Sequence, residues 1–216
     1  MPGGWKPGRR VAVAVIAVAL VLGAGGSAAR AVTPPDGPMD LPSAASGRLA
    51  LVFPQDPSSS WFRDSFGFRR TGGRSHEGED LFGVKGARVV AAADGTVSWT
   101  GWSPRAGYFV VIEHAGGWET WYVHLNDDTP GTDDGEGGPE HAFAAGLTVG
   151  SFVVAGQHIG YVGDSGNAEY TTPHTHFELY HEGELVDPDP LLRNALDRAL
   201  RVAALEALAN APAVPV

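Results

Sequence analysis

From Leu49 to about Asp187 the chain is a succession of short apolar or alternating runs, each broken off by glycine. Runs of this length, with side chains alternating at a period of two, argue for strands and leave little room for helices. "RVVAAA" (88–93), "GTVSWTGW" (95–102), "YFVVIEH" (108–114) and "WETWYVHL" (118–125) show the pattern most clearly. Ala115-Gly116-Gly117 separates two of them by a short glycine-bearing loop, a hairpin signal. "SFVVAG", "HIGYVG" and "HTHFELY" continue it. The expectation is an all-β fold, a compact antiparallel sheet or sandwich-type domain over residues 48–190. At Leu191 the pattern changes. There is no glycine from Leu191 to Ala209, and leucines recur at 191, 192, 196, 200, 205 and 208, spacings that suit a helix with one apolar stripe. An added C-terminal helix with its tail (191–216) is expected to pack on the β domain. No internal repeat is visible.

The N-terminus speaks to compartment. Lys6, Arg9 and Arg10 precede an unbroken apolar run of 12 residues, Val11 to Leu22, and Ala29-Arg30-Ala31 follows as a small-x-small cleavage pattern. These are the three parts of a secretory signal peptide, expected at 1–31. The run is short of the roughly 20 apolar residues a bilayer-spanning helix needs. Residues 32–47, rich in Pro, Gly, Ser and Ala, read as a flexible linker. The expected product is secreted, extracellular or associated with the cell wall (periplasmic where the envelope has two membranes), with no integral membrane segment after signal cleavage. A monomer is expected. The chain has no cysteine; about 185 residues can bury a core without disulfides. Any metal must then be held by nitrogen and oxygen. Loss of Lys6, Arg9, Arg10 and Arg30 with the leader would take the formal charge from −10 to −14. Nucleic acid is therefore an unsuitable partner, because phosphate contacts need a basic face.

One insertion interrupts the strand pattern. Residues 126–146 carry Asp127, Asp128, Asp133, Asp134, Glu136 and Glu140 among glycines and prolines. A solvated acidic loop is the expectation. A wall of a substrate groove and a calcium site are the alternatives; "DDTPGTDDGEGG" lacks the ligand spacing of a helix–loop–helix calcium motif.

Three segments carry the chemistry: "SHEGED", "WYVHL" and "PHTHFEL". They supply His76, Asp80, His124, His174 and His176. Two imidazoles and a carboxylate can hold a catalytic zinc with one position left open for water, and two further imidazoles can serve acid–base steps. His76 and Asp80 are four apart, but Gly72, Gly73 and Gly78 favour a loop entering a strand near Asp80 over a helix. In a strand, His174 and His176 share one face with Glu178, while Thr175, Phe177 and Leu179 face the other. Glu178 could orient an imidazole, although exposure is the expectation. His124 is read at the end of a strand on the face of Tyr122. Each signal is weak alone; their joint appearance is not.

The order His-x-x-x-Asp, Tyr-x-His-Leu, His-x-His-Phe-Glu resembles the lysostaphin-type (LytM-like) zinc metallopeptidases, endopeptidases of peptidoglycan. The similarity runs from about Ser75 to Pro188 and includes "GTV" (95–97), "AGQHIGYVGDSGNA" (155–168) and "VDP" (186–188). The resemblance implies zinc held by His76, Asp80 and His176, with His124 and His174 as catalytic non-ligands. It also implies a groove across one sheet and hydrolysis of peptide cross-links of bacterial peptidoglycan by zinc-activated water. Which of the two histidines is the general base stays open, as does the bond cleaved, glycine bridge or stem-peptide link. Glu79, where the family commonly has an apolar residue, puts local packing in question, and Thr175 replaces a commoner leucine. A non-catalytic relative that binds peptidoglycan or activates another hydrolase is the alternative function. His114, His141, His158 and His181 are read as structural or exposed.

Overall fold

The computed structural model describes residues 49–211. The expected leader and linker lie outside the described residues. Among the described residues nine strands form: β1 (Glu79–Phe82), β2 (Arg88–Val90), β3 (Gly95–Ser103), β4 (Gly107–His114), β5 (Trp118–Leu125), β6 (Phe152–Val153), β7 (His158–Tyr161), β8 (His174–His181) and β9 (Glu184–Val186). A seven-stranded antiparallel sheet has the order β1-β8-β5-β4-β3-β6, with β9 added beside β8; β2 and β7 make a separate two-stranded sheet. The β4–β5 hairpin turns at Ala115-Gly116-Gly117, where both glycines have positive φ.

Period-two alternation decides what is inside. On one face of the large sheet Leu81, Val97, Val110, Ile112, Tyr122, Phe177 and Leu179 are fully buried and pack with Val89 and Ile159 of the small sheet. Each such side chain contributes about 1.5–3 kcal/mol by leaving water. Tyr122 brings a hydroxyl into this core, and it is satisfied there: Ala92 N donates to it at 2.7 Å and Thr120 Oγ1 at 3.1 Å. The opposite face is less fully covered and carries a smaller cluster of Phe109, Val111 and Val123, flanked by Trp121. The functional cleft lies on this second face.

The C-terminal helix, α2 (Asp189–Ala209), starts two residues before the leucine pattern does. Two prolines flank its start, where a missing N–H costs nothing, and Asp189 pairs with Arg193 one turn on at 2.8 Å. Only its first half docks: Leu192 and Ala195 join the core, whereas Leu200, Leu205 and Leu208 are exposed. The leucine stripe is therefore longer than the sheet it covers. Among the described residues no helix is long and apolar enough to cross a membrane.

The 126–146 insertion is a solvated loop only in part: residues 130–136 are exposed, as expected, but its start is not. Asp127 and Asp128 are buried, and a short helix, α1 (Pro139–Ala142), closes the segment against the body of the domain.

Candidate metal centre

Antiparallel pairing of β1 with β8 sets Asp80 opposite His176 and Phe82 opposite His174. His76 arrives from the loop before β1, whose backbone is fixed by His76 N donating to Phe68 O at 2.8 Å. Gly78 lets that loop cross β8 closely: a Cβ there would stand 2.2 Å from the carbonyl oxygen of Phe177.

β5 completes the arrangement, but not by simple alternation. Tyr122 pairs with Val110 while Leu125 pairs with Tyr108, so three residue steps on β5 oppose two on β4. This is a bulge, with His124 at a left-handed φ of 61°. His124 therefore leaves the core face of Tyr122 and turns toward the cleft, correcting the expectation that the two share a face. Leu125, displaced by the same step, enters the core.

Three acceptor atoms converge. His76 Nε2 lies 3.0 Å from Asp80 Oδ1 and 3.0 Å from His176 Nδ1, and His176 Nδ1 lies 2.9 Å from Asp80 Oδ1. The other ring nitrogens set the tautomers. His76 Nδ1 donates to the Ser65 carbonyl at 3.0 Å, and His176 Nε2 to Glu178 Oε1 at 3.0 Å. With those protons placed, two nitrogen lone pairs and a carboxylate oxygen face one another at about 3 Å, which is repulsive unless a cation or shared proton lies among them. A triangle of that edge suits nitrogen and oxygen ligands roughly 2.0–2.2 Å from a zinc ion. The residues present thus fit a zinc ion by donor type, number and spacing.

The electrostatics agree. Burial works against charging His176, yet hydrogen bonds to Asp80 and Glu178 push it up to about 9 in the metal-free protein. Burial likewise opposes ionisation of Asp80, but hydrogen bonds from His176 and His76 hold its carboxyl well below the usual carboxylate range. Both shifts report a site built for positive charge. Arg70 Nη2 donates to Asp80 Oδ2 at 2.6 Å, leaving Oδ1 directed at the imidazoles.

His124 and His174 stand beside this trio and outside the set of donors within 4.8 Å of one another. A fourth protein ligand, which a closed structural site requires, is not among them. His124 Nδ1 donates to the Ser165 carbonyl at 2.9 Å and His174 Nδ1 to the Thr172 carbonyl at 2.8 Å, so both Nε2 atoms keep free lone pairs. His174 Nε2 is 3.7 Å from Asp80 Oδ1, and the His124 and His174 rings are 5.3 Å apart. Burial, then the neighbouring His174 and His176, pulls His124 down to about 3; burial also depresses His174. Both rings are neutral bases at neutral pH. The cleft around them has a volume of about 730 Å³, and Arg74, Arg105, Trp121 and Tyr180 are among its walls.

All five side chains singled out from the sequence thus meet at one cleft. Glu178, expected to be exposed, is mostly covered and bonded to His176 and the Tyr180 hydroxyl. Its position two residues after His176 on one strand was the available signal. The carbonyls of Ser65, Thr172 and Ser165 have no sequence signal at all, because every residue has one. Glu79 is fully buried and its carboxylate accepts from Ser65 N, Phe66 N and Ser65 Oγ. Thr175 is buried with its hydroxyl accepting from Gln55 Nε2 at 2.9 Å. Of the remaining histidines, His114 bridges Asp94 O and Thr120 Oγ1, and His181 stacks on Trp118.

Comparison with known proteins follows the same lines. The family model for peptidase family M23 matches residues 74–134 and 140–188, just over half of the chain. An L-Ala–D-Glu endopeptidase of Bacillus subtilis is 32% identical over 144 residues, 62% of this chain and 39% of its own length. Among solved structures, a zinc-containing peptidase from Vibrio cholerae superposes with a TM-score of 0.50 at 28% identity, covering 64% of this chain and 39% of that one. The antimicrobial peptidase lysostaphin from Staphylococcus simulans gives a TM-score of 0.50 at 26% identity, covering 68% and 56%. The chain spans well under half the length of the curated relatives it matches.

Proposed function

The chain belongs to peptidase family M23, and on that premise we propose that it is an exported zinc endopeptidase that hydrolyses peptide cross-links of bacterial peptidoglycan. The observation that carries this reading is the triangle of His76 Nε2, Asp80 Oδ1 and His176 Nδ1, with two neutral imidazoles directed into the same cleft. His76, Asp80 and His176 would hold the zinc. When bound, zinc supplies Lewis acidity, lowering the pKa of water and polarising a carbonyl.

The chain's own groups do the rest. His124 and His174 present unprotonated Nε2 atoms, so either can take a proton from the attacking water. Once protonated, the same nitrogen can donate to the oxyanion that develops on the scissile carbonyl or return the proton to the leaving amine. Their Nδ1–H bonds to backbone carbonyls keep the rings from turning during those transfers. Glu178 and the Ser65 carbonyl orient His176 and His76 and raise their basicity as ligands.

The name of the Bacillus relative, an L-Ala–D-Glu endopeptidase, supports a peptide substrate. A non-catalytic role finds no support in the side chains, since none of the five is missing. Incubation of the purified protein with intact sacculi, followed by mass spectrometry of released fragments, tests the proposal. Fragments with new amino and carboxyl termini are expected, and a chelator should abolish them. Zinc-loaded protein that releases nothing from any of several sacculus types would overturn it.

A further inference from the structure

We infer that Asp127, Asp128 and Asp164, with Asp133 and Glu169 at their margin, form a second cation site that takes calcium. The three aspartates are buried, at 8%, 2% and 2% exposure, and their carboxylate oxygens lie within 4.8 Å of one another. Asp133 and Glu169 share the same spacing with Asp128.

Lys85 supplies one positive charge. Its Nζ lies 2.7 Å from Asp128 Oδ2 and 2.8 Å from Asp164 Oδ1, and it also pairs with Asp133. No pairing joins it to Asp127, and Asp127 Oδ1 is sealed from solvent with no hydrogen-bond partner. One ammonium against three buried carboxylates leaves an excess of two negative charges, and buried carboxylates persist only when paired or coordinated. A divalent cation supplies the missing charge and gives Asp127 Oδ1 its partner. The donors are all oxygen, which selects a hard cation over zinc. They come from two segments, the 126–146 insertion and the stretch between β7 and β8, with irregular spacing, which suits the flexible coordination of calcium better than the strict octahedron of magnesium.

The site shares no ligand with the His76–Asp80–His176 centre, yet it abuts the support of His124. Asp164 precedes Ser165, whose carbonyl holds His124 Nδ1, and Asp127 and Asp128 follow His124 by three and four residues. Calcium would tie together the two segments that position that ring.

Titration of the zinc-loaded protein with calcium chloride, by calorimetry and by thermal denaturation, decides the matter without reference to hydrolysis. One calcium per chain is expected, with a Kd on the order of 10⁻⁴ M, and ~10 mM calcium should raise Tm by roughly 5–10 °C. Asp127→Asn and Asp164→Asn should each lose binding by about tenfold or more, while the exposed Glu136→Gln should bind as the parent does. Lys85→Met removes a competing charge and should tighten calcium binding by about tenfold. If Asp164→Asn does not fold, Asp127→Asn and Lys85→Met suffice. No heat and no Tm change at ~10 mM calcium in the parent would overturn the inference. So would unchanged affinity in Asp127→Asn, or weaker binding in Lys85→Met.

Discussion

Replacing Glu79 with leucine conserves bulk and removes the acceptor for three donors. Ser65 N lies 3.0 Å from Glu79 Oε1, Phe66 N 3.0 Å from the same oxygen, and Ser65 Oγ 2.9 Å from Oε2. The hydroxyl can rotate to another acceptor, but the two amides cannot follow. Each orphaned buried donor costs roughly 1–3 kcal/mol. Against this, leucine adds apolar burial worth about 1.5–3 kcal/mol and relieves the desolvation of a carboxylate. The expected net loss is about 1–3 kcal/mol, or a Tm lower by roughly 2–12 °C for a domain of this size. The effect should not stop at stability. The Ser65 carbonyl is the acceptor for His76 Nδ1, so loosening residues 64–66 frees that ring to turn. Loss of a partner that orients a ligand typically weakens metal binding by about 10–100-fold; the lower end is expected here because the carbonyl remains. Glu79→Gln keeps Oε1 for both amides and should lose under ~1.5 kcal/mol with zinc affinity nearly unchanged. Thermal denaturation of the zinc-loaded proteins and competition with a chelator of known affinity measure both quantities. A leucine variant with parental Tm and parental zinc affinity would show that the Glu79–Ser65 clamp does not position His76.

Three further outcomes are expected. His124→Ala and His174→Ala should retain zinc in full by metal analysis and lose activity on sacculi by about 10²–10⁴-fold; full turnover in either would remove that ring from the mechanism. Asp80→Ala should lose zinc together with activity, since two imidazoles alone make a poor site; parental zinc content would contradict the ligand assignment. In metal-free protein His124 sits at about 3 against an ordinary 6.5, so its contribution to stability is present above pH 6.5 and drains away as pH falls toward 3. Tm of the metal-free parent should therefore fall between about pH 6 and 4 more steeply than that of metal-free His124→Ala, and equal slopes would refute the buried neutral ring.

Much of the fold was legible because strand side chains alternate regardless of their surroundings. Phe177 and Leu179 against His174 and His176 needed only that period, and β5 runs from Trp118 to Leu125 as its pattern indicates. The residue types of the candidate site were equally legible, since imidazoles and a carboxylate in three ordered segments carry chemistry that glycine and valine do not. The helix was legible in kind but not in extent: periodicity marks an apolar stripe, while the edge of the sheet decides how many of its leucines are covered.

Tertiary structure alone decided the rest. The bulge that turns His124 into the cleft depends on a mismatch of register with β4, which no local pattern in "WYVHL" encodes. Backbone carbonyls lock three of the rings, His76, His124 and His174, and a carbonyl is invisible in a string of letters. Asp127 and Asp128 read as solvated because acidic residues usually are, whereas their burial follows from packing against Lys85 and Asp164 across the fold. Local periodicity is a property of the chain and survives any context; burial, register and the partner of a polar atom exist only once distant segments meet.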